Sequence, residues 1–186
     1  RPRLARINAL YNETQKCLDF YNFRRKQLAE VEPNDAHRMI VELEKDYEVI
    51  VITQNVDNLH ERAGSTNVIH VHGELSKVCS LRDRTTCVKE YPLEIPIKVG
   101  DKAEDGWQLR PYIVMFGENV DNMREAIDIA FEADIFVVVG TSLKVYPAAG
   151  FINYTRNSIP KYVIDPGEME ECTQLGFIHL RTTATE

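Results

Sequence analysis

The sequence predicts an α/β fold, a parallel sheet with helices on both faces and a smaller helical and irregular part beside it. Three observations carry this. Short runs such as Val49-Ile50-Val51-Ile52 are apolar and β-branched throughout, which suits strands buried on both faces. They alternate with segments of helical period, the order that makes neighbouring strands parallel. The runs end abruptly in polar, small or glycine-containing residues. In parallel sheets ligands bind at the carboxyl ends of the strands, so this pattern predicts a site for a large polar ligand such as a dinucleotide.

The elements follow in order. Leu4 to Leu28 holds no proline or glycine, and apolar residues recur at 4, 7, 10, 11, 18, 21 and 28, giving one or two helices. Pro33-Asn34-Asp35 is a capping cluster, and the next helix places Ala36, Met39, Ile40 and Leu43 on one face. A strand over Glu48–Thr53 stops in Gln54-Asn55-Val56-Asp57-Asn58, and another at Val68–Val71 stops in His72-Gly73-Glu74. Ser76 to Gln108 has no clear period and reads as an irregular excursion. Regularity returns at Pro111–Phe116, before Gly117-Glu118-Asn119. Asp121 is placed to cap a helix carrying Met123, Ala126, Ile127, Ala130 and Phe131. A buried strand over Ala133–Val139 ends in Gly140-Thr141-Ser142, a helix spans about Tyr146–Thr155, and a strand at Lys161–Ile164 ends in Asp165-Pro166-Gly167.

Charge narrows the partners. Lys and Arg number 22 against 29 Asp and Glu, a net charge of -7, which argues against nucleic acid or an anionic membrane as the main partner. No apolar stretch approaches the length of a membrane helix, and the start lacks the apolar core of a signal peptide. The four cysteines, 17, 79, 87 and 172, form no C-x-x-C pair and no disulfide framework, so a reducing cytoplasmic setting is expected.

Read together, Thr53-Gln54-Asn55-Val56-Asp57-Asn58-Leu59-His60, His70-Val71-His72-Gly73-Glu74, Phe116-Gly117-Glu118 and Val139-Gly140-Thr141-Ser142 resemble the ordered signature of the sirtuins, NAD-dependent protein-lysine deacylases. One motif alone is weak, whereas four in order, joined by the excursion at 76–108, are specific. Tyr21-Asn22-Phe23-Arg24-Arg25 and Val145-Tyr146-Pro147-Ala148-Ala149-Gly150 resemble the bacterial desuccinylase-like subgroup. The resemblance implies one catalytic domain over 1–186, a partial one. Its small part spans about 1–45 and 76–108, and its Rossmann-like part about 46–75 and 109–186.

It also implies the chemistry. The amide oxygen of an acyl-lysine attacks C1′ of the nicotinamide ribose of NAD, nicotinamide leaves, and a ribose hydroxyl must then lose a proton. Imidazole titrates near working pH and suits that task. His72 matches the catalytic histidine, while His70 matches no family function and reads as structural. Gln54, Asn55, Val56 and Asp57 match the segment that holds nicotinamide and its ribose, where amides and carboxylates meet groups needing donors and acceptors. Gly140, Thr141 and Ser142 match the loop near the adenosine ribose and phosphates. Asp165, where the family usually has Asn, faces the adenine ribose, and Ala184 aligns with an adenine-side contact. Phe116, Gly117 and Glu118 match the strip that pairs with an acylated-lysine protein by strand addition. Tyr21 and Arg24, three apart on a helix, match a pair that reads a carboxylate-bearing acyl group. A non-catalytic NAD or ADP-ribose module and an NAD-hydrolysing domain are the competing readings. His72 argues against the first and the intact Phe116-Gly117-Glu118 strip against the second.

Two departures stand out. Most sirtuins hold a structural zinc with two cysteine pairs in this excursion. Here Cys79 and Cys87 have no second pair, so no zinc is expected, and packing around Leu93, Ile95, Ile97, Val99 and Trp107 is expected instead. The family's opening strand, its Gly-Ala-Gly-x-Ser phosphate loop and its final helix have no counterpart in these residues, and the full protein is expected to bind NAD.

Overall fold

Two helices, α1 (Ile7–Asn12) and α2 (Thr14–Glu30), open the computed structural model, which describes residues 3–141 and 148–186. The chain is α/β throughout. After α3 (Asp35–Leu43) come β1 (Val51–Thr53), the short α4 (Leu59–Ala63), β2 (Val68–His70), β3 (Gly73–Ser80), β4 (Lys89–Glu90) and β5 (Leu109–Ile113). Then follow α5 (Met123–Glu132), β6 (Phe136–Val139), a 3-10 helix Ala148–Tyr154, β7 (Lys161–Ile164), α6 (Glu170–Gln174) and β8 (Ile178–Leu180). No described helix is long and apolar enough to cross a membrane.

The parallel strands form two sheets rather than one. β1 pairs with β2, Thr53 opposite His70, and β6-β7-β8 is a second parallel sheet with Val138 opposite Val163 and Val163 opposite His179. Among the described residues no strand joins β1 to β6. Helix α5 spans the gap, with Ala126 in a cluster with Ile69, Val71 and Phe151. The strand expected to be buried at 133–139 is buried on one side only. Val138 is in the core, but Val137 and Val139 are exposed in register with exposed Ile178 and Leu180. The face of α3 is likewise less buried than its period suggests, for Met39 and Leu43 are exposed. Its cap is as expected: the Asn34 side chain accepts from the His37 amide at 3.2 Å.

The excursion at 76–108 is more regular than its sequence. Where a strand end was expected at Gly73, β3 begins, and it pairs antiparallel with β4 and β5. Its core is Leu75, Val78, Ile97, Ala103 and Leu109, packed with Leu10, Leu18 and Tyr21, and partly buried Leu93 joins it. Ile95, Val99 and Trp107 lie exposed, so they do not form the packing expected of them. Polar bonds from α2 do that work instead. Asn22 donates to the Ile97 carbonyl at 2.8 Å and accepts from its amide at 2.9 Å. Arg25, fully buried, donates to the carbonyls of Leu75, Tyr91 (3.1 Å) and Pro92 (2.7 Å). Three carbonyls without sheet partners thus share one guanidinium, whose five donors suit that geometry. Cys79 is in the core, where burial pushes its thiol up to about 12. Among the described residues neither Cys79 nor Cys87 stands in a group of side chains close enough to share an ion.

Gly73 is required where β3 starts. Its φ is +77°, and an added Cβ would sit 2.3 Å from the Tyr112 carbonyl oxygen. We expect Gly73→Ala to destabilise the fold by on the order of 3 kcal/mol, strain and main-chain clash together. Urea unfolding measures it, and an unchanged midpoint would show that β5 yields.

Candidate active site

The site is organised by three successive carbonyls. Thr53, Gln54 and Asn55, at and after the end of β1, accept from the Val71 amide (3.1 Å), His72 Nδ1 (3.0 Å) and His70 Nδ1 (3.4 Å) respectively. The next, Val56, accepts from the Leu75 amide at 2.7 Å. The two segments are therefore laced together by their main chain. A carbonyl only accepts, so a hydrogen of His72 is on Nδ1, and in the neutral ring Nε2 then carries the lone pair. That is the tautomer a proton acceptor needs. His72 is half-buried, and its own carbonyl accepts from the Val114 amide at 2.8 Å, which ties it to β5.

The other nicotinamide-side candidates cluster here too. The Asp57 carboxylate accepts from the Leu59 amide at 3.2 Å and opens α4. Gln54 is half-buried and Asn55 exposed, and among the described residues neither amide side chain is drawn into a hydrogen bond. Just beyond, Asn58 Oδ1 is buried without a partner. Buried polar atoms are normally paired, so this orphan acceptor marks a place where a donor belongs.

Gly140 and Asp165 form a second group at the ends of β6 and β7. The Gly140 amide donates to the Ile164 carbonyl at 3.0 Å, and Gly140 takes φ +57°, with no atom of the described residues within 4 Å of where a Cβ would stand. Asp165 uses its carboxylate on the Gly167 amide at 2.7 Å, while its carbonyl accepts from His179 at 2.9 Å. Thr141 follows Gly140, half-buried. Ser142, and the Val145-Tyr146-Pro147 motif, lie outside the described residues, as does the start of the expected helix at Tyr146. Ala184 sits exposed in the terminal turn beyond β8, and the structure draws it to no other candidate.

Glu118 has a different place from the one expected. Both its oxygens accept from Arg110, at 2.6 and 2.9 Å, and Oε2 accepts from the Met115 amide at 2.8 Å. Arg110 is 1% exposed and also donates to the Ile113 carbonyl at 2.7 Å. Beside them Arg84 binds Asp121 and the Asn119 carbonyl (3.0 Å), and Tyr112 donates to Asp121 at 3.2 Å. Asp121 is therefore an ion-pair partner and caps no helix. Its neighbour Asn122 is the N-cap, with no side-chain bond to the helix. The Asp121 amide donates to the Val71 carbonyl at 3.2 Å, so this network reaches the residue beside His72. Sequence reading missed it, because Arg84, Arg110 and Asp121 lie far apart along the chain in no recognisable motif.

The rest of the strip has less main chain to offer than strand addition requires. Phe116 already pairs with the chain's own start, its amide to the Ala5 carbonyl (2.8 Å) and its carbonyl to the Ile7 amide (3.2 Å). The Phe116 ring is exposed, and Gly117 turns at φ +101°. Tyr21 and Arg24 part company by exposure: Tyr21 is buried in the α2 core, while Arg24 is exposed and donates to Gln27 at 3.0 Å.

Comparison with known proteins follows this geometry. The Sir2 family model matches residues 3–147. The chain belongs to the Sir2 family, the sirtuins. It is 53% identical over 172 residues to the NAD-dependent protein deacylase of Bacteroides thetaiotaomicron, covering 91% of this chain and 74% of that one. A crystal structure of a Sir2 homolog–NAD complex superposes with a TM-score of 0.86 at 34% identity, covering all of this chain and 73% of that one. A Sir2–p53 peptide–NAD+ structure gives a TM-score of 0.78 at 30% identity, covering 97% of this chain and 78% of that one.

In this sirtuin the Arg110–Glu118 pair sets the geometry of the strip. Glu118→Gln leaves a buried guanidinium without its counter-charge, and we expect a loss of about 3–5 kcal/mol. Denaturant unfolding of the variant checks it; a loss near zero would mean that water replaces the carboxylate.

Proposed function

We propose that this sirtuin removes acyl groups from protein lysines, using NAD as cosubstrate and releasing nicotinamide and O-acyl-ADP-ribose. The observation that carries it is the His72 tautomer fixed by the Gln54 carbonyl, in a chain of this family. Relatives named NAD-dependent protein deacylases and a neighbour bound to NAD and a p53 peptide support the same reading.

NAD, when bound, supplies the electrophilic ribose carbon and a leaving nicotinamide. The residues fit it. The Gln54 and Asn55 amides offer both donors and acceptors, and Asn58 Oδ1 needs a donor. Gly140 has no Cβ and, among the described residues, no atom within 4 Å of that position, which suits close approach of a phosphate. Asp57 and Asp165 are the carboxylates for ribose hydroxyls, with Thr141 and Ser142 beside Gly140 and Ala184 assigned to the adenine side. His72 Nε2 takes the hydroxyl proton, and its Nδ1 hydrogen on the Gln54 carbonyl keeps the ring from turning. The small part, about 1–45 and 76–108, presents the acyl group to the Rossmann-like part. Substrate peptide lies along the exposed Phe116 ring and the Gly117 main chain, with Glu118 holding that turn from beneath. The four cysteines are all unpaired thiols, which supports a cytoplasmic setting.

His72→Ala should lose on the order of 10²–10⁴ in deacylation rate while the protein still folds and binds NAD. Nicotinamide and free lysine, followed together in the full-length protein with an acyl-lysine peptide, give the rate. Near-normal turnover would take His72 out of the mechanism.

Acyl choice rests on Tyr21 and Arg24. Arg24 is exposed and held only by a neutral glutamine, so its guanidinium is available to a carboxylate. A succinyl or malonyl group carries that carboxylate and an acetyl group does not. Arg24→Met should cost succinyl-lysine about 1.5–3 kcal/mol in kcat/KM and leave acetyl-lysine nearly unchanged. Equal losses on paired peptides would assign Arg24 to the fold.

A further inference from the structure

A buried imidazole that touches two pure acceptors must carry two hydrogens to bond both. His70 is in that position. It is 8% exposed, with Nε2 2.6 Å from Glu61 Oε1 and Nδ1 3.4 Å from the Asn55 carbonyl. Neither a carboxylate nor a carbonyl has a hydrogen to give, so only the imidazolium bonds both at once, and a neutral ring must give one of them up. His72, two residues on, spends one nitrogen on the Gln54 carbonyl. The two rings stand on successive carbonyls of one turn.

Resting on the deacylase reading, we propose that His70 is a positioning residue, held as a cation by Glu61. It clamps the Asn55 carbonyl, and with it the amide-bearing turn that receives the nicotinamide end of NAD. Its own main chain is anchored on the other side, where the Asn122 side chain donates to the His70 carbonyl at 3.2 Å. The ring therefore ties the nicotinamide turn to the start of α5 through one residue.

The charges facing His70 favour this state. Glu61 and His60 face it from α4 and Glu74 from β3, with Lys77 on Glu74 at 2.6 Å. Burial alone favours the neutral ring, but the bond and charge of Glu61, then the charge of Glu74, outweigh it and raise the pKa above 6.5. Burial likewise pushes Glu61 up, and the His70 bond and charge bring it below its ordinary value. The contribution of the pair is therefore complete between the ordinary glutamate and histidine values, and is lost as pH rises through the folded histidine value or falls through the folded glutamate value. Above the folded histidine value the ring keeps one hydrogen. The shorter bond to Glu61 retains it, and the Asn55 carbonyl loses its donor.

The test uses the full-length protein, NAD and an acyl-lysine peptide, with kcat and KM measured from mildly acid to alkaline pH. His70→Gln should raise KM for NAD on the order of tenfold with a smaller change in kcat, and abolish the alkaline fall in kcat/KM. Glu61→Gln should move that alkaline fall to lower pH, because it removes the charge that keeps the ring protonated. Nitrogen NMR of the imidazole rings at neutral pH should show both His70 nitrogens protonated. A neutral His70 ring, or an active wild type whose variants keep its KM and its alkaline fall, overturns the proposal. A wild type without NAD-dependent turnover refutes the deacylase reading instead, and the ring spectrum still decides the charge of His70. Should His70→Gln fail to fold, Glu61→Gln carries the kinetic test, since that carboxylate is 38% exposed.

Discussion

Arg110 has nowhere to put its charge except on Glu118. A guanidinium at 1% exposure is tolerable only when its donors are filled and its charge is met. Glu118 meets the charge and takes two of the bonds, the Ile113 carbonyl takes another, and the remaining capacity of Glu118 goes to the Met115 amide. From that requirement much of the site follows. The turn at Phe116 and Gly117 lies beside the pair, and Phe116 exchanges main-chain hydrogen bonds with Ala5 and Ile7. Arg84 and Asp121 complete the charge balance, and the Asp121 amide then holds the Val71 carbonyl next to the base. The strip is thus kept in place by electrostatics from below.

The sequence made His72 and its turn legible because both are local. A β-branched run broken by Gln54-Asn55 is visible to the eye, and the Gln54 carbonyl meets His72 only because β1 and β2 are parallel neighbours in register. Lys161–Ile164 was equally plain, being short, apolar and bounded by Pro160 and Asp165. The pairing of Glu118 was hidden for the opposite reason. Its partner Arg110 lies across a turn, and nothing in a chain of letters says that a carboxylate in a known motif is already spoken for.

The excursion at 76–108 shows another kind of blindness. Its strands β3 and β4 lack clean alternation: β4 is two residues long, Lys77 occupies a sheet position, and the register of β3 against β5 shifts between Glu74 and Val78. Sequence reading also overvalued Ile95, Val99 and Trp107, which are apolar but lie on connections that no element covers. The exposed rows on β6 and β8 carry a related lesson. Val137, Val139, Ile178 and Leu180 have the composition of a buried strand, and burial is a property of what stacks on the sheet.

Helix α2 holds Arg24 and Arg25 side by side in sequence, yet one turns to water and the other disappears inside. Successive residues on a helix are rotated by roughly 100°, so adjacent arginines cannot share an environment. Arg25 is bound to three carbonyls and is as immovable as any core residue. Arg24, leaning on Gln27, is answerable only to what arrives from solvent. Selection can therefore rewrite the letter proposed to meet the acyl group while its neighbour goes on holding the excursion. Chemical preference can drift among descendants of this chain at no cost to their foldability.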